Sequence, residues 1–494
     1  MKKIILPILF FAVAFSSCKK DKKDSELDLL KDKLYEYAQE VYLWYDALPA
    51  ADSFNPRRFT GSTDVAALQA EVDALSQIKI NSSTGKAYEY DPSYPGTAKY
   101  SYIDQGEAAT SIGGTGGDFG FALRYNALND LRIRYVYPGS SAATQNLARG
   151  YKVLTINDQP VTLTTNSNSD PAITRINQAL NSNSIKLNVQ RPDGATFTVT
   201  VTKGSYTINP VIKYSTIITA TGKRVGYFAF SRFTVLDNAR AKIDEAFTKF
   251  AADNISELVV DLRYNGGGAV ETSQYLANYM VPSGKNGTVM FTEQYNNKLQ
   301  SGNYPLLSKA YTIKAGQFSE ANNTFKFSKQ GTLNLNQVFF LVTENTASAS
   351  ELLINNLKPV MPNGVKIIGE TTYGKPVGFF GIELNDDYDL YLAEFESRNA
   401  EGKADFYQGM IPGSNYAGYE ADDDLTKDFG DPAENLLARA LNYVEKGTYN
   451  IPERKVQSLN TTEQKIQLRN SNQLIDIKQQ FSGAVHSRDL QRIK

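Results

Sequence analysis

In "KIIGETTYGKPVG" (Lys366 to Gly378) a lysine stands between a glycine and a proline, a setting that fits two kinds of chemistry. Gly369, Gly374 and Lys375 match the spacing G-x-x-x-x-G-K of a phosphate-binding loop. Such a loop needs Ser or Thr next, to ligate magnesium, and then a helix. Pro376 follows here, and "VGFFGIEL" beyond it is apolar and β-prone. With two parts of a phosphate site missing, proton transfer is the better reading. A lysine acts as a base only if its pKa falls from ~10.4 toward neutrality, and apolar surroundings do this by desolvating the ammonium. Tyr373, Pro376, Val377, Phe379 and Phe380 flank Lys375, and no acid lies between Glu370 and Glu383.

A base needs something to activate. In "LVTENTASASELLINNL" a strand runs into a tight turn and a helix begins near Ala347. A serine at such a junction can project its hydroxyl as a nucleophile. The N–H of Ala349 would then face an oxyanion at the helix N-terminus. The competing reading is that Ser348 or Ser350 caps the helix. The chain has one histidine, His486, in a polar C-terminal stretch. A Ser-His-Asp triad would require that stretch to fold back into the core, whereas lysine is an accepted substitute. A third element is "VVDLRYNGGG", whose glycines let backbone N–H groups converge on one point. Gly267 or Gly268 could supply a second oxyanion donor; the alternative is an ordinary strand-to-helix turn.

The elements that must position these residues follow from patterning. From about Ile212, "RVGYFAFSRF", "SELVVDLRYNGGG", "QVFFLVTE" and "VKIIGE" read as strands. They alternate with the helical stretches "LDNARAKIDEAFTKFAAD", "AVETSQYLANYMV" and "SASELLINNLKPVM". That alternation predicts a multidomain α/β protein with an α/β layer core over 210–446, interrupted by a long irregular insert at about 282–336. Upstream, residues 111–206 are β-rich with one short helix, "AITRINQALN", and a strand pair joined at Pro-Asp-Gly. This segment resembles a PDZ domain, with "FGFAL" in place of the carboxylate-binding loop and "VLTINDQPV" similar to the family's I-x-x-I-N-G turn. The resemblance implies that Phe119, Gly120, Phe121 and Ala122 bind a peptide terminus through main-chain N–H groups. No frame of "SIGGTGGDFGFAL" satisfies G-x-G-x-x-G, so a dinucleotide loop is excluded.

Residues 27–110 read as a small helical domain with a Gly, Ser and Tyr-rich linker. In its first helix Leu27, Leu30, Leu34, Tyr37, Val41 and Trp44 fall on one face, and Pro49 marks a stop. Residues 447–494 are polar and read as a loosely attached extension. The chain of 494 residues carries a formal net charge of −1, which gives no global bias toward nucleic acid. "MKK", the apolar "IILPILFFAVAF" and "SSC" form a secretory signal over 1–17, too short to span a bilayer. "FSSC" resembles the lipobox of bacterial lipoproteins, which implies acylation of Cys18, the only cysteine, followed by a solvated tether over 18–26. A lipid-anchored cell-envelope protein, periplasmic or outer-membrane associated, with no disulfide is the expectation. The acidic runs "NDDYD" and "EADDDLTKDFGD" lack metal-loop spacing, so neither metal nor other cofactor is expected.

Taken in order, the three motifs resemble the S41 family of serine peptidases, the C-terminal processing or tail-specific proteases. The pattern D-L-R-x-N-x-G-G falls on Asp261, Leu262, Arg263, Asn265, Gly267 and Gly268; S-A-S-E falls on Ser348 to Glu351. The resemblance implies a ClpP/crotonase-like α/β core, Ser348 as nucleophile and Lys375 as general base, with supporting roles for Glu351 and Thr372. It further implies protein or peptide substrates, met as unstructured or C-terminal tails. Two positions depart from the family. Phe379 stands where many members have a Gln that orients the lysine, and Pro412-Gly413 stands where Pro-Asp is usual. The alternative is a catalytically weak, peptide-binding envelope lipoprotein, which Phe379 favours. A hydrolase of non-peptide esters is a more distant third.

Overall fold

The computed structural model describes residues 24–164 and 170–451, with 468, 471–472, 475, 484–485 and 491–492 of the C-terminal stretch. The signal segment, Cys18 and His486 lie outside the described residues. Among these residues no helix is long and apolar enough to cross a membrane.

The centre is a six-stranded sheet in the order Val211–Ile218, Arg224–Phe230, Glu257–Asp261, Gln337–Val342, Val365–Gly369, Gly418–Glu420. All neighbours are parallel except the first pair. The inner strands are mostly apolar, with polar residues such as Glu257, Asp261, Gln337 and Lys366 at or near their ends, because helices cover both faces, as in α/β layers generally. Leu236–Ala252, Val270–Met280 and Ala349–Leu357 bury Phe247, Leu276 and Leu353 on one face. Asn435–Lys446 buries Leu436, Leu437 and Ala440 on the other.

The insert is more ordered than its sequence texture implies. Val289–Tyr295 pairs antiparallel with both Phe395–Asn399 and Thr324–Lys326, and short helices follow it. Its "VMFTEQY" buries Met290, Phe291, Glu293 and Tyr295; the adjacent apolar pair and the buried acid leave no hydrophobic alternation to read.

The first helix runs Glu26–Val41, capped by Ser25 Oγ on the Asp28 N–H, and ends well before Pro49. Leu34, Tyr37, Tyr42 and Trp44 share one apolar cluster with Val377, Phe379, Phe380 and Phe395. The helical domain therefore forms the wall behind Lys375. The β-rich segment is a sheet in the order Thr196–Thr202, Ser184–Gln190, Lys152–Ile156, Asp130–Val136, Phe121–Ala127, with the helix Pro171–Asn181 on it. The Pro-Asp-Gly turn closes as expected, Gly194 N–H donating to Arg191 O at φ +89°. Its Arg124 reaches Glu344 and Glu370, and Arg134 reaches Asn345, on the loops flanking Ser348 and Lys375.

The C-terminal extension is not loosely attached where it is described. Ile475 is buried against the β-rich core, and Asn472 Oδ1 and Nδ2 bond Tyr125 N–H and O at 2.7 and 3.0 Å. Ala484–Val485 forms a strand between Gly268–Ala269 and Val377–Phe379, and Gln491–Arg492 pairs with Tyr311–Thr312. The stretch is polar overall, but strand pairing satisfies main-chain groups and needs no apolar pattern.

Candidate active site

Three turns at the C-terminal ends of adjacent central strands meet here. The first follows Glu257–Asp261. Arg263 is fully buried, bonded to Asp261 (2.6 Å), Asp423 (2.6 Å) and Glu434 (2.9 Å), which anchors the turn from below. Asn265 Nδ2 donates to Phe230 O at 2.9 Å, and Asn265 Oδ1 accepts the Gly267 N–H at 2.9 Å. Its main-chain O takes Ala347 N–H and Ser350 Oγ, tying this turn to the serine turn. Gly267, at φ +104°, passes so close that a Cβ would lie 3.0 Å from Ala347 O, Ala349 N and Ser348 Cβ.

The second turn carries Ser348 at φ +58°, ψ −111°, a conformation costly for any residue with a Cβ and found mainly where function demands it. It projects the side chain off the turn. Ser348 is 2% exposed, and its Oγ has no hydrogen-bond partner among the described residues. Ser348 and Glu351 stand in capping-box positions at the head of the helix Ala349–Leu357, but the Oγ is not bonded to Lys375 in this arrangement. Ser350 makes the structural contact instead, to Asn265 O. The Ala349 N–H makes no hydrogen bond among the described residues and heads the helix beside Gly267.

The third turn follows Val365–Gly369 and carries Lys375. Its glycines bring backbones together rather than cradle an anion: a Cβ on Gly369 would strike Val342 O at 1.9 Å, and one on Gly374 would meet Gly409 N at 2.5 Å. Lys375 Nζ lies 3.9 Å from the centroid of the Phe379 ring and 5.8 Å from that of Tyr100. Burial pushes the amine well below the usual lysine range, against the opposing pull of Glu89, Glu351 and Glu394. The apolar box is thus made by Phe379, Tyr100 and the helical domain as much as by the residues beside Lys375 in sequence.

Glu351 joins the second and third turns. One carboxylate oxygen accepts Ser348 N–H (2.8 Å) and Lys375 N–H (2.9 Å); the other accepts Gly374 N–H (2.7 Å) and Thr372 Oγ1. Burial raises its pKa although four donors favour the charged form. Thr372 Oγ1 in turn accepts Met410 N–H at 2.8 Å. A cleft of about 580 Å³ opens beside Thr372 and Tyr373, walled by Tyr88, Tyr90, Lys99 and Tyr407.

Ser348, Ala349, Gly267, Gly268, Glu351, Thr372 and Lys375 thus converge. The Gly267 N–H is held by Asn265 and its O by Phe233 N–H, while Gly268 pairs with Ala484. Phe119, Gly120, Phe121 and Ala122 lie apart, in and before the edge strand of the β-rich segment. There the Gly120 N–H is engaged by Asp118 Oδ1 at 2.7 Å. Gly413 closes a turn onto Tyr416 O. Sequence reasoning missed the fastening role of Asn265 and the acids Glu89 and Glu394. Glu394 has a local signal, an acid inside the apolar run "YLAEF"; Glu89 reaches the site only through tertiary packing. Among the described residues no group of three His, Cys, Asp or Glu side chains could hold a metal.

The sequence profile of peptidase family S41 matches residues 224–413. A probable CtpA-like serine protease of Staphylococcus aureus strain N315 is 28% identical over 189 residues, 38% of this chain and 32% of that protein. The corresponding Staphylococcus haemolyticus protein (strain JCSC1435) is 25% identical over 234 residues, 46% of this chain and 42% of that one. The chain therefore spans only about a third of the length of the first of these relatives. Among solved structures, a candidate S41 protease of Bacteroides fragilis NCTC 9343 superposes with a TM-score of 0.60 at 22% identity, covering 86% of this chain and 98% of that one. The matched residues include all three turns, so the chain carries a peptidase family S41 domain.

Proposed function

We propose that the chain is a serine endopeptidase that cleaves extended protein segments through an acyl-enzyme, with Ser348 as nucleophile and Lys375 as base. The observation that carries this reading is the Glu351 carboxylate, which holds Ser348 N–H and Lys375 N–H on one oxygen. It fixes the nucleophile and the base to a common point. Neutral Lys375 takes the Ser348 proton, and Oγ attacks the peptide carbonyl. The Ala349 N–H meets the developing oxyanion, with Gly268 as second donor, since the Gly267 N–H is already held by Asn265. Lysinium then returns its proton to the leaving amine, and water releases the acyl group. Thr372 and Met410 brace Glu351 from behind.

The lipobox-like "FSSC" supports a lipid-anchored place in a bacterial cell envelope, and the edge strand Phe121–Ala127 supports a PDZ-like role for residues 111–206. One observation favours the reading as a peptide-binding protein of weak activity: Ser348 Oγ and Lys375 are not hydrogen-bonded. Incubation with an unfolded protein, read by mass spectrometry beside Ser348→Ala and Lys375→Ala, separates the two. Fragments that vanish in both variants establish the peptidase; fragments unchanged by either substitution overturn the assignment.

A further inference from the structure

The main chain of Ala484–Val485 lies in the slot between the glycine turn and the lysine turn. Ala484 is in register with Gly268 on one side and Gly378 on the other; Val485 matches Ala269 and Phe379, all parallel. Gly268 follows the residue that touches Ser348, and Phe379 carries the ring against Lys375 Nζ. Apart from this strand the two edges do not pair with each other, so their facing main-chain groups need a third strand. The same C-terminal stretch is held at two further points. Asn472 presents its amide to Tyr125 N–H and O as a neighbouring strand would, on the edge of the β-rich sheet, with Ile475 buried beside it. Gln491–Arg492 pairs antiparallel with Tyr311–Thr312 of the insert.

We infer that this slot is the track of an extended peptide substrate, running parallel to Gly268–Ala269 and Gly378–Phe379, and that the resting chain fills it with its own C-terminal stretch. The inference rests on the peptidase reading for the word substrate, but the occupancy stands on the pairing alone. Main-chain pairing selects for extended, unfolded segments rather than for particular side chains, as in other strand-addition sites. The docked stretch, which includes Leu468 packed on the β-rich core, belongs to the same chain as the slot, so it competes intramolecularly, at an effective concentration on the order of mM. A substrate must displace this internal competitor, so its apparent affinity falls by the fraction of chains with an open slot.

The test uses the full chain, compared with Asn472→Ala and, separately, Ala484→Pro, which removes one ladder donor at the slot without touching the body. Amide exchange of Gly268, Gly378 and Phe379 is read beside kcat/KM on an unfolded protein, with Ala269, whose N–H bonds Phe233 O at 2.7 Å, as the internal control. Both variants should lose protection at those amides and gain about tenfold or more in kcat/KM, mostly through KM. A synthetic peptide of residues 468–494, added at ~1 mM, should restore both. Equal exchange in wild type and variants, or no competition by the peptide, overturns the inference. Protection lost in the variants and restored by the peptide, with no cleavage in any form, supports the occupancy while removing the peptidase reading.

Discussion

The Phe379 ring lies 3.9 Å from Lys375 Nζ, on the strand Val377–Phe379 that leaves the lysine turn. An aromatic face attracts an ammonium and also receives N–H groups of the neutral amine, so it holds the side chain without an acceptor. Phe379→Leu keeps the apolar volume and removes the ring. Because the ring favours the cation, its loss should lower the Lys375 pKa further. The acid limb of the pH–rate profile should then move to lower pH while kcat falls about tenfold from looser positioning. An unchanged profile would show that the ring is only packing.

Desolvation holds Lys375 well below the ordinary range, so the neutral base exists well below pH ~10.4. With Lys375 as the proposed base, only that form would activate Ser348, so kcat/KM should rise with pH through the lowered pKa and then level off. For stability the sign is the same. Between the folded and unfolded pKa values the unfolded chain binds more protons, so this group's contribution increases with pH across that window and is lost as pH falls through the folded pKa. Lys375→Met should remove that part of the slope in chemical denaturation at several pH values.

Glu351→Gln leaves one acceptor oxygen for four donors and points an amide N–H at others. Each orphaned buried donor costs ~1–3 kcal/mol. The denaturation midpoint should drop accordingly, and activity should fall further than Thr372→Val lowers it, since Thr372 reaches the dyad only through Glu351.

Gly267→Ala places a methyl 3.0 Å from Ser348 Cβ and Ala349 N at a backbone angle of +104°. The methyl intrudes where the oxyanion should sit. Activity on peptides should fall by about 100-fold or more, comparable to losing an oxyanion donor. Gly194→Ala is also strained, at φ +89°, but meets no atom within 4 Å and should cost stability alone.

His486 is the one histidine, and residues next to it in sequence pair beside Phe379. If lysine is the base, His486→Ala should retain turnover within about threefold on an unfolded substrate. Loss of activity there, with Lys375→Ala still active, would transfer the role to histidine.

Much of this arrangement is legible in the sequence because it is local. The buried strand before "RYNGGG", the strand-to-helix junction at Ser348 and the glycines before Lys375 each announce a turn. Three adjacent parallel strands bring such turns together at their C-terminal ends. What the sequence does not reveal is long-range. Trp44 and Tyr37 pack in the cluster around Phe379 from more than three hundred residues away, and Glu89 enters through Tyr100 and Ser101. The C-terminal extension misleads for a different reason: Ala484–Val485 docks by main-chain pairing, which composition does not encode. The ordered insert is hidden because its strand Val289–Tyr295 buries an acid, Glu293, and shows no hydrophobic alternation.

The central claim is that Lys375 activates Ser348. A fluorophosphonate probe with an alkyl chain reports this directly, read by intact mass and peptide mapping of the full chain across pH, beside Lys375→Ala. The account predicts one adduct per chain, on Ser348, forming at a rate that rises through the lowered lysine pKa and falls at least 100-fold in Lys375→Ala. An adduct on another residue, or labelling of Ser348 at the same rate without Lys375, would contradict it.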